Sequence, residues 1–131
     1  MKSKGKINWE EAPDIKVKVD RMLKVLERDE IAHRVYCVRS YNSRARIYAR
    51  IWGLPRLWQD ILGEDAAYII EILSEKFDHL REDKQEEILL HEIAHIPKNF
   101  SGSLLPHTRR RGKRNFEDRV HEMVSLFKKS K

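Results

Sequence analysis

The chain has 131 residues, of which 40% are hydrophobic and 37% are charged, which predicts one domain with a modest core. No apolar run approaches the roughly 20 residues of a membrane span, and the basic N-terminus lacks the apolar stretch of a secretion signal. The only cysteine, Cys37, excludes an internal disulfide. These features predict a cytoplasmic protein that does not interact with membranes.

The formal net charge of +6 has a local origin. The segment 98–114 has no acidic residue, and the rest of the chain is balanced. Its six basic residues are Lys98, Arg109, Arg110, Arg111, Lys113 and Arg114. Such a cluster can attract the phosphates of a nucleic acid or an acidic protein or peptide. A solvated loop without a partner explains it equally well.

The first half of the chain predicts one helix followed by strands. Residues 1–12 have the composition of a polar tail. From Pro13 to about residue 29 the apolar residues follow helical spacing, and Pro13 suits the first turn. Segments 35–39 and 45–52 favour strands, and 68–73 is the most strand-like run. Segment 57–62 is ambiguous between a short helix and another strand.

The second half predicts two helices separated by an irregular loop. Helical spacing returns over 81–96, where Pro97 ends the helix. The loop 99–114 follows, and Asn115 is a good N-cap for a closing amphipathic helix. The sequence therefore predicts an α+β fold with an N-terminal helix, a small three- to four-stranded sheet and two C-terminal helices. We expect residues 13–131 to form this single domain.

The run His-Glu-Ile-Ala-His at 91–95 is the main chemical signal. Positions i and i+4 of a helix share one face, so His91 and His95 can bind the same metal ion. Glu92 then lies beside them, where a carboxylate can accept a proton from water. Two imidazoles, an open coordination position and a nearby carboxylate are what hydrolytic zinc chemistry requires. The alternative is that both histidines are ordinary surface residues.

A catalytic zinc site usually has three protein ligands and a water. His107 is the preferred third ligand, because Pro97 and Gly102 let the loop turn back towards the helix. Glu117, in the first turn of the closing helix, is the main alternative, and His121 is a weaker one. We also expect His79 or Arg109 to contact the oxyanion or the substrate.

The strand that precedes the HExxH helix can have a role in substrate binding. An extended peptide can pair with an exposed sheet edge and so present its carbonyl to the metal. Tyr68, Ile70 and Ile72 are the candidate residues of such an edge strand. A strand that pairs only within the sheet is the alternative.

Five segments of the sequence resemble the small metallopeptidases of phages and archaea, which belong to the zincin group. These segments are 35–40, 49–55, 68–77, 91–97 and 100–107. The resemblance implies a compact zincin-like fold, with His91, His95 and His107 as metal ligands and Glu92 as the catalytic acid and base. The chain departs from the metzincin spacing HExxHxxGxxH, because positions 98 and 101 are Lys and Ser.

The sequence thus predicts a zinc-dependent peptidase that acts on peptides or proteins, with Glu92 as general base. A second hypothesis is a nucleic-acid-associated protein, including a protease that works on DNA, which contacts phosphates through the basic segment 109–114. A third is an inactive module that binds metal without turnover.

Overall fold

The computed structural model describes residues 5–108 and 115–131 of the chain. A short 3-10 helix, Asp29–Arg34, precedes the second strand. The other elements are, in chain order, β1 (Asn8–Glu11), α1 (Pro13–Val25), β2 (Val35–Tyr41), β3 (Ala49–Gly53), α2 (Arg56–Leu62), β4 (Tyr68–Leu73), α3 (Ser74–Phe77), α4 (Glu82–Ile93) and α5 (Phe116–Lys129). Within these residues no helix is both long and apolar enough to cross a membrane.

The four strands form one sheet in the order β1-β2-β4-β3. β2 and β4 are parallel, whereas β1 and β3 pair antiparallel with their neighbours. Ile70 and Ile72 of β4 are fully buried in the core. This mixed architecture confirms the predicted α+β fold.

The main helices share one apolar core with the sheet. α1 buries Ile15, Val19, Met22 and Leu23, which lie on one face of the helix because they are spaced three or four residues apart. α4 contributes Leu89, Leu90 and Ile93 to the same cluster, and Phe127 of α5 joins it. α4 is thereby held against the sheet, with its C-terminal turn available for a site.

Two of the sequence predictions are corrected by this topology. The predicted tail 1–12 is too long, because residues 8–11 form β1 and pair with β2. The prediction that Tyr68, Ile70 and Ile72 lie on an edge strand is wrong, because β4 pairs with β2 on one side and β3 on the other. A nearly continuous apolar run is typical of a central strand.

The edge strand on the side of α4 is β3. Ala49 and Ile51 are buried, while Arg50 is half-buried and Trp52 exposed, which is the alternation of a strand with one face towards solvent. The ambiguous segment 57–62 belongs to helix α2.

Candidate metal centre

The histidines of the HExxH run lie where α4 ends. α4 begins with Glu82 and Asp83, whose charges favour a helix N-terminus, and its last residue is Ile93. His95 follows in a tighter turn, in which its N–H donates to the carbonyl of Glu92 at 3.1 Å. This turn keeps the rings of His91 and His95 adjacent, with centroids 5.2 Å apart.

His107 joins these two side chains from the loop after α4. One ligand atom from each of the three histidines lies within 4.8 Å of the others. The Nε2 atoms of His91 and His107 are 2.9 Å apart. Two nitrogens bound to one tetrahedral zinc at 2.0–2.1 Å stand about 3.3 Å apart, so a small ring movement would fit this pair to an ion.

His95 is oriented by a second polar contact. Its Nδ1–H donates to the carbonyl of Leu105 at 2.5 Å, and the N–H of Leu105 donates back to the carbonyl of His95 at 2.8 Å. The ring also stacks on Phe116, with centroids 4.4 Å apart. Because Nδ1 carries the proton, Nε2 is left as the lone-pair donor that a metal requires.

Burial also shifts the protonation of the site. Desolvation lowers the pKa of both His91 and His95. Electrostatic repulsion from His107 lowers the pKa of His91 further. Both effects favour the neutral imidazole, which is the form that binds metal. Glu92 is only 8% exposed, and its burial raises the pKa of this carboxyl to about 7.

Glu117 lies beside the three histidines without joining them. Its Oε1 is 4.0 Å from Nδ1 of His91, on the side of the ring away from the Nε2 that faces His107. At this distance the carboxylate acts on His91 through its charge, which opposes the lowering of the pKa of that ring. The arrangement favours His107 over Glu117 as the third ligand, and His121 lines the same cleft without belonging to the cluster.

The loop that carries His107 is anchored to the sheet by Tyr68. This buried phenol donates to the carbonyl of Ser103 at 2.7 Å and accepts from the N–H of Gly102 at 2.8 Å. The side chain of Gln59 donates to the carbonyl of Ser101 at 2.9 Å. These bonds satisfy backbone groups of residues 101–103 and hold the segment just before Leu105 and His107.

Two glycines permit this close packing. A Cβ on Gly53, at the end of β3, would overlap the carbonyl of Gly102. Gly102 itself has a φ of +97°, a conformation that side chains disfavour. The loop therefore touches the backbone of the edge strand directly.

A cleft of about 1150 Å³ opens in front of the histidines. It is lined by β3 and the residues before it, by α4 and α5, and by loop residues 104–107. Ile88, Leu104 and Val124 give it apolar surface. A cleft of this size and lining suits a segment of peptide.

The structure does not bring His79, one of the other predicted contacts, to the site. His79 is exposed and is not among the residues that line the cleft. Arg109, proposed as an oxyanion contact, and the remainder of the basic segment 109–114 lie outside the described residues. The sequence did not reveal the contacts of Leu105 and Phe116 with His95. It also did not reveal the contacts of Gln59 and Gly53 with the loop. The glycine of Ser101-Gly102-Ser103 marks a turn but does not reveal its partners.

Fold and site together define a small α+β protein with a histidine cluster that could hold a metal ion. The sequence model of one family, described as "Putative phage metallopeptidase", matches residues 7–128, and the chain therefore belongs to this family. The match extends from the start of β1 almost to the end of α5 and confirms the resemblance seen in the sequence. No curated protein and no solved structure matches the chain.

Proposed function

We propose that the protein is a zinc-dependent peptidase in which His91, His95 and His107 hold the metal and Glu92 is the general base. The observation that carries the proposal is the convergence of three imidazoles beside a buried carboxylate in one cleft. The family of the chain supports the same chemistry. Three neutral nitrogen ligands are a donor set that zinc accepts, with a fourth position left open.

Each of these residues has a distinct part in the reaction. When bound, zinc would supply Lewis-acid activation of water and of the peptide carbonyl. Glu92 takes a proton from the attacking water and delivers it to the leaving amine. Burial raises the pKa of Glu92 to about 7, so this carboxyl can both accept and release a proton near neutral pH. The bond to Leu105 fixes the ring of His95, and Glu117 faces His91.

The substrate strand would lie along β3. This strand is an edge of the sheet, packs on α4 and contributes Ala49 and Ile51 to the cleft. Among the described residues no strand pairs with its outer side, so the backbone groups there can pair with an extended peptide. β3 thereby takes the role that the sequence had assigned to β4.

The substitution Glu92→Gln tests the mechanism. The variant should retain stoichiometric zinc, because the three histidines are unchanged. Its cleavage rate should fall by a factor of about 100 to 10,000, the usual contribution of a general base. The rate is measured on a mixture of peptides by mass spectrometry, with metal content determined on the same samples.

Glu82→Gln is the matched control. Glu82 starts the same helix, is exposed and does not line the cleft. It should leave both zinc content and cleavage unchanged. Undiminished cleavage by Glu92→Gln would overturn the mechanism, and the absence of cleavage in the zinc-loaded wild type would favour a metal-binding module without turnover.

A further inference from the structure

The two ends of the cleft differ in charge. One end contains the three histidines together with the carboxylates of Glu92 and Glu117. Further along, the cleft is lined by Arg46 from the loop before β3, by Lys84 of α4 and by Lys128 of α5, with Glu87 as the carboxylate beside them. The mechanism proposed above uses none of these cations.

The packing of α4 against α5 places both lysines far from the histidines. The two helices run antiparallel, because Glu117 at the start of α5 lies near His91, whereas Lys131, just after α5, pairs with Glu86 at 2.6 Å. Lys84 and His91 are two turns apart on the same face of α4, about 10 Å along its axis. Lys128, in the last turn of α5, lies towards the same end as Lys84.

Arg46 approaches this end from the sheet. β3 is antiparallel to β4, and Ala49 pairs with Ile72 near the C-terminal end of β4. The ammonium of Lys76 in α3 donates to the carbonyl of Ala45, which fixes the adjacent segment near the start of α4. The opposite end of β3, Gly53, contacts the loop that leads to His107.

The positive charges at this end are only partly balanced. Within the described part of the chain, Arg46 and Lys128 form no ion pair, and Lys84 is 3.9 Å from Glu87 in an exposed pair. Exposed pairs of this kind contribute little and leave the cation available. Arg50 also borders the cleft, but it is already bound to the buried Glu71 at 2.8 Å.

We propose that Arg46, Lys84 and Lys128 form a carboxylate subsite for the peptide substrate. The subsite binds an acidic side chain or the free C-terminal carboxylate, and it rests on the proposed peptidase function. An extended peptide advances about 3.3 Å per residue, so the carboxylate lies about three residues from the scissile bond. The apolar surface of Ile88 and Val124 lies between the two ends and contacts the intervening side chains.

Paired quenched-fluorescence peptides test the subsite. One arm compares Asp with Asn at each position, and the other compares a free C-terminal carboxylate with an amide. One exposed ion pair is worth up to about a fivefold change. Because three cations act on the same carboxylate, we expect kcat/KM to favour the carboxylate by about fivefold or more. The position and the arm that show the preference identify the source of the carboxylate.

Charge-reversal variants of the cleft residues are compared with a control variant that reverses two charges outside the cleft. The double substitution Arg46→Glu with Lys128→Glu should abolish or invert the preference, a change of about tenfold or more. Arg44→Glu with Lys129→Glu makes the same charge change at exposed neighbours that do not line the cleft, and it should leave the preference intact. The wild-type preference should shrink in high salt.

A peptide-binding measurement distinguishes an error in the proposed subsite from an error in the proposed peptidase function. The same peptides are titrated into zinc-loaded Glu92→Gln protein, with and without the two charge reversals, and followed by fluorescence anisotropy. Cleavage without carboxylate preference overturns the subsite and leaves the peptidase in place. Carboxylate-dependent binding that the reversals abolish supports the subsite even if the wild type cleaves nothing. If neither cleavage nor binding shows a preference for the carboxylate, the subsite is overturned.

Discussion

The three histidines are positioned by two different parts of the molecule. His91 and His95 depend on α4 and the turn that ends it, whose backbone sets their separation and whose apolar face is buried in the core. His107 depends on the loop 99–108, which has no helix or strand of its own. Contacts with Tyr68, Gln59 and Gly53 fix that loop. The geometry of a helix is enough to position a side chain on it. The position of a side chain on a loop depends on the contacts that hold the loop in place.

His95 is the residue at which the two parts meet, so its substitution should have the largest effect. His95→Ala removes a proposed ligand and also the side-chain bond to Leu105, which holds the loop of His107. We expect zinc affinity to fall by more than about a thousandfold, beyond the 10–100-fold loss typical of an outer contact. Competition with a chromophoric zinc chelator measures this change.

His107→Ala is the informative comparison. It removes one exposed side chain, the proposed third ligand, and leaves the two bonds between His95 and Leu105 in place. Its thermal stability without metal should therefore stay near that of the wild type, while His95→Ala, which empties a buried position against Phe116, should unfold at a lower temperature. Equal destabilisation by both substitutions would contradict the division between helix and loop.

Gly53→Ala should damage the anchor of the loop without altering any ligand. The added Cβ would overlap the carbonyl of Gly102, so the loop must move away from β3. We expect a loss of about 1–3 kcal/mol in the free energy of unfolding, typical of overpacking, together with a zinc affinity reduced by about tenfold to a hundredfold. Chemical denaturation and the chelator assay measure the two effects.

Gly63→Ala provides the control for backbone strain. Gly63 ends α2 with a φ of +65° and has open space around it. Alanine there should cost about 1 kcal/mol of stability through its left-handed conformation, with no change in zinc affinity. A loss of affinity in this variant would show that general destabilisation, and not the loop, weakens the site.

The sequence predicted the adjacent placement of His91 and His95 better than it predicted their surroundings. The spacing of His91 and His95 reflects a local period of the helix, so it is visible in five residues. The position of His107 depends on contacts such as that of Tyr68 with Gly102, which are 34 residues apart in the chain. Local patterns carry no information about such partners. The same limit explains why β4 was mistaken for an edge strand, since pairing on its second side comes from β3.

Tyr68→Phe should weaken the loop anchor by a smaller amount. The ring stays in the core, but the N–H of Gly102 loses its acceptor and the carbonyl of Ser103 loses a donor. An unsatisfied buried group costs about 1–3 kcal/mol, and we expect zinc affinity to fall by about tenfold. Tyr36→Phe, at an exposed phenol on the neighbouring strand β2, should change neither property. A zinc affinity equal to that of the wild type in Tyr68→Phe would show that the other contacts of the loop are enough to hold it in place.

Glu117→Gln should have the smallest effect and still discriminates between the two candidate third ligands. The carboxylate is 4.0 Å from Nδ1 of His91, longer than a hydrogen bond, so its influence on that histidine is mainly electrostatic. Removing the charge should reduce zinc affinity by less than about tenfold, the lower limit for outer contacts. His107→Ala in the same chelator assay should be far more damaging. The opposite order would make Glu117 the metal ligand and His107 the accessory residue, because a glutamine amide is a poor substitute for a carboxylate on zinc.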